Sequence, residues 1–198
     1  MKERYQLLHD SKEIQRHIGR MAREITAQYD GEDPLFVALL RGGAPFATGL
    51  MREITRQAPD FHPELDYMTT SRYPTDTNPA GETQIIMDIS PTTEVKNRTV
   101  IILDDVLDMG ETAKTVRDHM LDLGARYVAL AVLVEKDIAV RTANIEADYV
   151  GFRGETGWLV GYGMNDSAIA TEAYRWADGI WRIGPNNRPD APPQLARV

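Results

Sequence analysis

With 198 residues and 42% hydrophobic content, the chain can bury one sizeable core and is only marginally long enough for two domains. A formal net charge of −8 and a pI near 5.0 argue against broad, sequence-independent nucleic-acid binding, which needs clustered Lys and Arg facing phosphates, though a local basic patch stays open. The absence of cysteine excludes disulfides, thiolate zinc sites and a cysteine nucleophile.

The N-terminal stretch MKERYQLLHDSKEIQ lacks a signal-type apolar core, and no segment approaches the ~18 apolar residues of a membrane span. A soluble cytoplasmic protein is the expectation. Ser11 reads as an N-cap, and Ile14, Ile18, Met21 and Ile25 recur at helical spacing. PLFVALL (34–40) reads as a buried parallel strand entering the turn Arg41-Gly42-Gly43, with a helix through Phe46, Leu50 and Ile54 after it.

LDYMTTSRY (65–73) suits a strand, and RYPTDTNPAGET (72–83), with its prolines and turn formers, suits a mobile loop. TQIIMDI (83–89), TVIIL (99–103), a helix over 112–123 ending at Gly124, YVALAVLV (127–134), DYVGF (148–152) and WLVGYG (158–163) follow. Short apolar strands alternating with helices predict an α/β fold, a parallel sheet with helices on both faces. We place one domain over 1–183 and read the proline-rich tail 184–198 as lacking fixed structure. His9, His17, His62 and His119 show no ligand spacing and read as structural or surface residues, His119 as a solvated helix position.

In an open α/β sheet, ligands gather beyond the C-terminal strand ends. Three polar turns lie there: Arg41-Gly42-Gly43, LDDVLDMGET (103–112), and the region after VLVEK (132–136). GxxxxGK[ST] and GxGxxG are both absent, which disfavours nucleoside-triphosphate hydrolysis and dinucleotide binding. Within 103–112, Gly110 allows backbone torsions closed to other residues. The N–H groups from Asp108 through Met109, Gly110 and Glu111 to Thr112, with the Thr112 hydroxyl, can therefore wrap a phosphate monoester at a helix N-terminus. Asp104 and Asp105 can accept from vicinal hydroxyls or ligate Mg²⁺. A phosphorylated sugar carrying a metal-bound diphosphate satisfies both halves.

VIILDDVLDMGETAKT resembles the 5-phosphoribosyl-1-pyrophosphate (PRPP) motif of type I phosphoribosyltransferases. The likeness extends to the hypoxanthine-guanine branch through LLRGG (39–43), the Ser71/Tyr73 loop, VLVEK, ADYVGF and WLVGYG, covering roughly residues 5–180. It implies a type I phosphoribosyltransferase-like parallel sheet with a small hood region. It also implies Mg²⁺-dependent transfer of phosphoribose from PRPP to a 6-oxopurine, releasing pyrophosphate, in a homo-oligomer, a dimer or tetramer.

Residue by residue, the resemblance gives Asp104 and Asp105 the ribose hydroxyls and metal, and gives the amides from Asp108 to Thr112 the 5′-phosphate. Asp108 takes the place of the acid facing the purine imidazole. Arg41 and Gly42 match the pyrophosphate loop, whose first peptide, here Leu40–Arg41, is often cis in the family. Arg175 matches an arginine near the pyrophosphate. Lys136 matches the lysine that reads the 6-oxo group, Trp158 an aromatic that stacks on the purine, and the Leu159 backbone a reader of the opposite edge. Ser71 and Tyr73 match the working residues of the closing loop.

The sequence departs from that pattern at four places. Arg72 separates Ser71 from Tyr73, Met109 replaces a frequent Thr, and Glu111 replaces a basic or neutral residue. Asn165, beside Asp166, stands where an Asp usually completes the metal site. Two other readings stay open: an enzyme preferring xanthine or a pyrimidine, and a non-catalytic regulator sensing a nucleotide on the same fold. Retention of Asp108 favours catalysis, and the acidic charge weighs against an RNA partner.

Overall fold

The computed structural model describes residues 4–71, 82–139 and 141–184. Tyr73, most of the loop expected at 72–83 and the tail beyond Gly184 lie outside the described residues. The elements run β1 (Tyr5–His9), α1 (Ser11–Gln28), β2 (Leu35–Leu40), α2 (Gly43–Gln57), β3 (Glu64–Ser71), β4 (Gln84–Met87), β5 (Thr99–Leu107), α3 (Glu111–Asp122), β6 (Tyr127–Lys136), β7 (Tyr149–Glu155), β8 (Leu159–Val160) and β9 (Ile180–Ile183).

Six strands form one sheet in the order β4-β3-β2-β5-β6-β7. All neighbours are parallel except β3 and β4, so the sheet is mixed at one edge rather than wholly parallel. β4, the next strand in the chain, pairs with β3 antiparallel, with Thr70 opposite Ile85 and Ser71 opposite Gln84.

The apolar runs of the central strands are buried on both faces and alternate between two cores. Phe36, Ala38, Ile101, Leu103, Ala129 and Ala131 pack under α1 and α2, against Ile14, Ile18, Phe46 and Leu50. Leu35, Val37, Val100, Ile102, Leu130 and Val132 pack on the other face, under Val116 and Met120 of α3.

The cap of α1 is Asp10, with Ser11 the first helical residue. Asp10 stands three residues before Glu13, so the two close a reciprocal capping box, with the Glu13 amide donating to Asp10 Oδ1 at 2.9 Å and the Asp10 amide to Glu13 Oε2 at 3.3 Å. His119 is not simply solvated: its Nε2 lies 2.8 Å from Asp88 Oδ2.

A second sheet of three antiparallel strands, β1-β9-β8, forms the hood. Its strands come from the two ends of the domain. They are joined to the segment 164–175 by Asp166, which is buried and accepts from Arg4 Nη2 at 2.9 Å, Tyr5 Oη at 2.8 Å and the Ala168 amide at 3.2 Å. Among the described residues, no helix is long and apolar enough to cross a membrane.

Candidate active site

The neighbouring strands β2, β5 and β6 end on one side of the sheet and deliver Arg41, the turn 104–112 and Lys136 to one place. The Leu40–Arg41 peptide is cis, the isomer the resemblance implies. Gly42 and Gly43 open α2 in very close quarters. A β-carbon at Gly42 would collide with the Asp105 carboxylate, and one at Gly163 with the Gly42 carbonyl. Glycine at both positions thus lets the β2–α2 turn, the end of β5 and the hood segment touch through backbone.

β5 runs four residues past the expected TVIIL, so Asp104 and Asp105 are strand residues. Burial and the neighbouring Asp105 carboxylate push Asp104 well above the ordinary carboxylic acid range. Burial raises Asp105 as well, with Arg175 acting in the opposite direction. In acids crowded like this, the charge on one opposes ionisation of the other.

After β5 the chain turns through Gly110, which caps α3 in the left-handed conformation at φ 84°. A β-carbon there would stand 2.6 Å from Ile145 Cγ2. The result is a helix N-terminus over 110–112 of the kind that attracts a phosphate. Glu111 does not face that cradle alone, because Thr142 Oγ1 donates to its Oε1 at 2.8 Å. The Met109 carbonyl is held by the Ala143 amide at 3.2 Å and by Thr142 Oγ1 at 3.3 Å.

Asp108 and Lys136 meet directly, Nζ to Oδ2 at 2.7 Å. Arg141, which sequence reasoning missed, holds both from behind. Its Nε donates to the Asp108 carbonyl at 3.0 Å, its Nη2 to the Lys136 carbonyl at 3.2 Å, and its Nη1 to Glu135 Oε1 at 2.9 Å. Arg153 also pairs with Glu135. Beside this cluster lies a cavity of about 600 Å³ lined by Glu135, Lys136, Arg141 and Arg153 among others.

Trp158 is 42% exposed, so it does not fill the core; its Nε1 donates to the Asn165 carbonyl at 3.3 Å. Leu159 is buried in β8. Asn165 turns its side chain to the Thr171 carbonyl at 2.7 Å, and Asp166 carries the Arg4 and Tyr5 contacts described above. Both residues expected near a second metal are therefore engaged with protein. Ser71 ends β3 and is paired across to Gln84 of β4. Glu172, also missed, lies between Arg41 and Arg175, each 2.5 Å from one of its oxygens.

Among the described residues, no group of three or more His, Asp or Glu could hold a metal ion alone. The two acids of β5 nonetheless suit Mg²⁺, which takes one or two carboxylates and completes its shell with water and substrate oxygens.

The phosphoribosyl transferase domain model matches residues 5–167. A hypoxanthine-guanine phosphoribosyltransferase of Streptococcus mutans is 34% identical over 159 residues, 80% of this chain and 84% of that protein. The bifunctional protein TilS/HprT of Listeria innocua is 39% identical over 153 residues, but those are 77% of this chain and only 22% of that longer protein. The structure overlays a crystal structure of a hypoxanthine phosphoribosyltransferase from Staphylococcus aureus with a TM-score of 0.80 at 29% identity, covering 93% of this chain and 94% of that one.

Proposed function

The chain belongs to the phosphoribosyltransferase family, and on that premise we propose that it is a purine-salvage enzyme of the cytoplasm. It transfers the 5-phosphoribosyl group of PRPP to hypoxanthine or guanine, giving IMP or GMP and pyrophosphate. The observation that carries this reading is the turn after β5. Two crowded acids are followed by a left-handed glycine and the N-terminus of α3, with Asp108 in contact with Lys136.

In this reading the amides of 108–112 hold the 5′-phosphate, and the Thr112 hydroxyl adds a donor. Asp104 and Asp105 accept from the ribose hydroxyls, and their carboxylate oxygens would hold Mg²⁺. Mg²⁺ supplies positive charge against the charge that develops on the departing pyrophosphate. Arg41 and Arg175 add donors at the same end of the ligand.

The Lys136 ammonium has three donors and no acceptor, so it can hold Asp108 and a 6-oxo group together. It selects oxopurines over adenine on that account. Asp108 then takes or shares the imidazole proton as the glycosidic bond forms. The exposed ring of Trp158 offers a stacking face for the base.

Pyrophosphate release measured with PRPP, Mg²⁺ and each of hypoxanthine, guanine, xanthine, adenine and uracil tests this function. Turnover on hypoxanthine or guanine that collapses in Asp108→Asn is the expected result. Preference for xanthine or uracil would reassign the base. No turnover on any base, with PRPP or nucleotide still bound, would replace the enzyme by a nucleotide sensor.

A further inference from the structure

Glu172 belongs to no motif, yet it stands where two guanidinium groups converge. Arg41 begins the turn after β2 and reaches 131 residues along the chain to place Nη1 2.5 Å from Glu172 Oε1. Arg175 places Nε 2.5 Å from the other oxygen, Oε2, and uses Nη1 on the Gly163 carbonyl at 2.5 Å. Each carboxylate oxygen thus receives one guanidinium. The pair of arginines holds Glu172 below the ordinary glutamate range.

This bridge sits directly beside the acids. Gly163, held by Arg175, packs against Gly42 and Asp105, and the Arg175 charge acts on Asp105. A guanidinium donates to carboxylate and phosphate oxygens in the same geometry. Here each guanidinium gives the carboxylate one N–H, Arg41 through Nη1 and Arg175 through Nε, and the anion fills the place between them.

We propose that Glu172 is an internal stand-in for the diphosphate, occupying Arg41 and Arg175 in the empty site and displaced when PRPP or pyrophosphate binds. The inference rests on the functional reading above, since it needs those arginines to meet a diphosphate. Glu172 then sets the affinity of that end of the ligand. It weakens PRPP and pyrophosphate binding and speeds pyrophosphate release, and it keeps stray anions from the arginines between turnovers. Arg41 and Glu172 are exposed, at 67% and 41%, so the competition is screened by salt.

The test is titration of the intact protein with pyrophosphate and Mg²⁺ by calorimetry, in wild type, Glu172→Gln and Glu172→Ala, at low and high ionic strength. Steady-state constants are measured for PRPP and for the base, and melting temperatures check folding. We expect the pyrophosphate Kd to fall about three- to ten-fold in both variants, the size that loss of two exposed ion pairs allows. The gap should narrow at high salt, and the PRPP KM should fall more than the base KM.

A pyrophosphate Kd that is unchanged in both folded variants, or weakened because Arg175 has lost its support, overturns the inference alone. A wild-type chain that binds no pyrophosphate and turns over no base overturns the functional reading, and this inference with it.

Discussion

Asp104 and Asp105 stand near the end of β5 as two neighbouring carboxylates, with the Arg175 guanidinium acting on Asp105. Asp108 and Glu135, at the next turn and on the next strand, share three cations, Lys136, Arg141 and Arg153. The sequence offers acids of the same type in both places, but packing gives one group its counter-charges and withholds them from the other. A region whose charges are met within the fold is a scaffold that holds shape without ligand. A region whose charges are left crowded is one that an external cation completes, at some expense in the stability of the empty protein.

The comparison breaks most visibly at Asp108, the acid we place against the base although its partners are internal. Asp108→Asn keeps the side-chain shape and should lower kcat by about 10²-fold or more, the scale of lost acid-base assistance, with little change in melting temperature. A variant with near wild-type turnover would move the proton transfer elsewhere.

Arg141→Met comes next in size. It strips buried Glu135 of a partly buried partner and the Asp108 and Lys136 carbonyls of a donor, so unfolding by urea should show a loss of about 2–3 kcal/mol. Arg141 acts through Asp108 and Lys136, so discrimination between hypoxanthine and adenine should also narrow. An intact midpoint would mean that the charges of this region are not what holds it.

Asp104→Asn should act in the opposite sense. Removing one of two crowded acids is expected to stabilise the empty protein by about 1 kcal/mol at neutral pH, while the affinity for PRPP with Mg²⁺ falls. The pH dependence follows the same logic. The native pKa values lie above the ordinary 3.8, so the folded chain holds more protons than the unfolded one in the window above it. The contribution of the pair is fully present below the unfolded value and is lost as pH rises through the native values. Thermal melts from pH 4 to 8 should show that decline in the wild type and a flatter profile in Asp104→Asn. Saturating Mg²⁺ and pyrophosphate should remove it too.

The smallest effect separates Arg153 from Arg141. Arg153 is 64% exposed on the same Glu135, so Arg153→Gln should cost less than about 1 kcal/mol and fade with added salt. A loss as large as that of Arg141→Met would show that exposure is a poor guide here.

Much of this contrast was legible in the sequence, and the reasons are local. The phosphate turn lies in ten consecutive residues, and the strands around it are unbroken apolar runs, so period and spacing suffice. The hood was not legible in the same way. β1 pairs with β9 across about 175 residues, as Tyr5 with Ile183, and each strand is too short to show a pattern. Arg141 and Glu172 failed for the same reason: their partners are made neighbours by folding alone. Asp166 reads beside Asn165 as a spare metal ligand, and only the structure turns its Oδ2 to Arg4 and Tyr5.

That last contact has a practical side. Arg4 and Tyr5 grip Asp166, whose own amide donates to the Ala173 carbonyl at 3.1 Å, one residue from Glu172 and two from Arg175. Through these bonds Arg4 and Tyr5 support the segment that carries Glu172 and Arg175. Proteolytic nicking before Gln6, or a fusion partner that pulls Arg4 away, should register in kinetics as a raised PRPP KM, and be mistaken for an active-site defect.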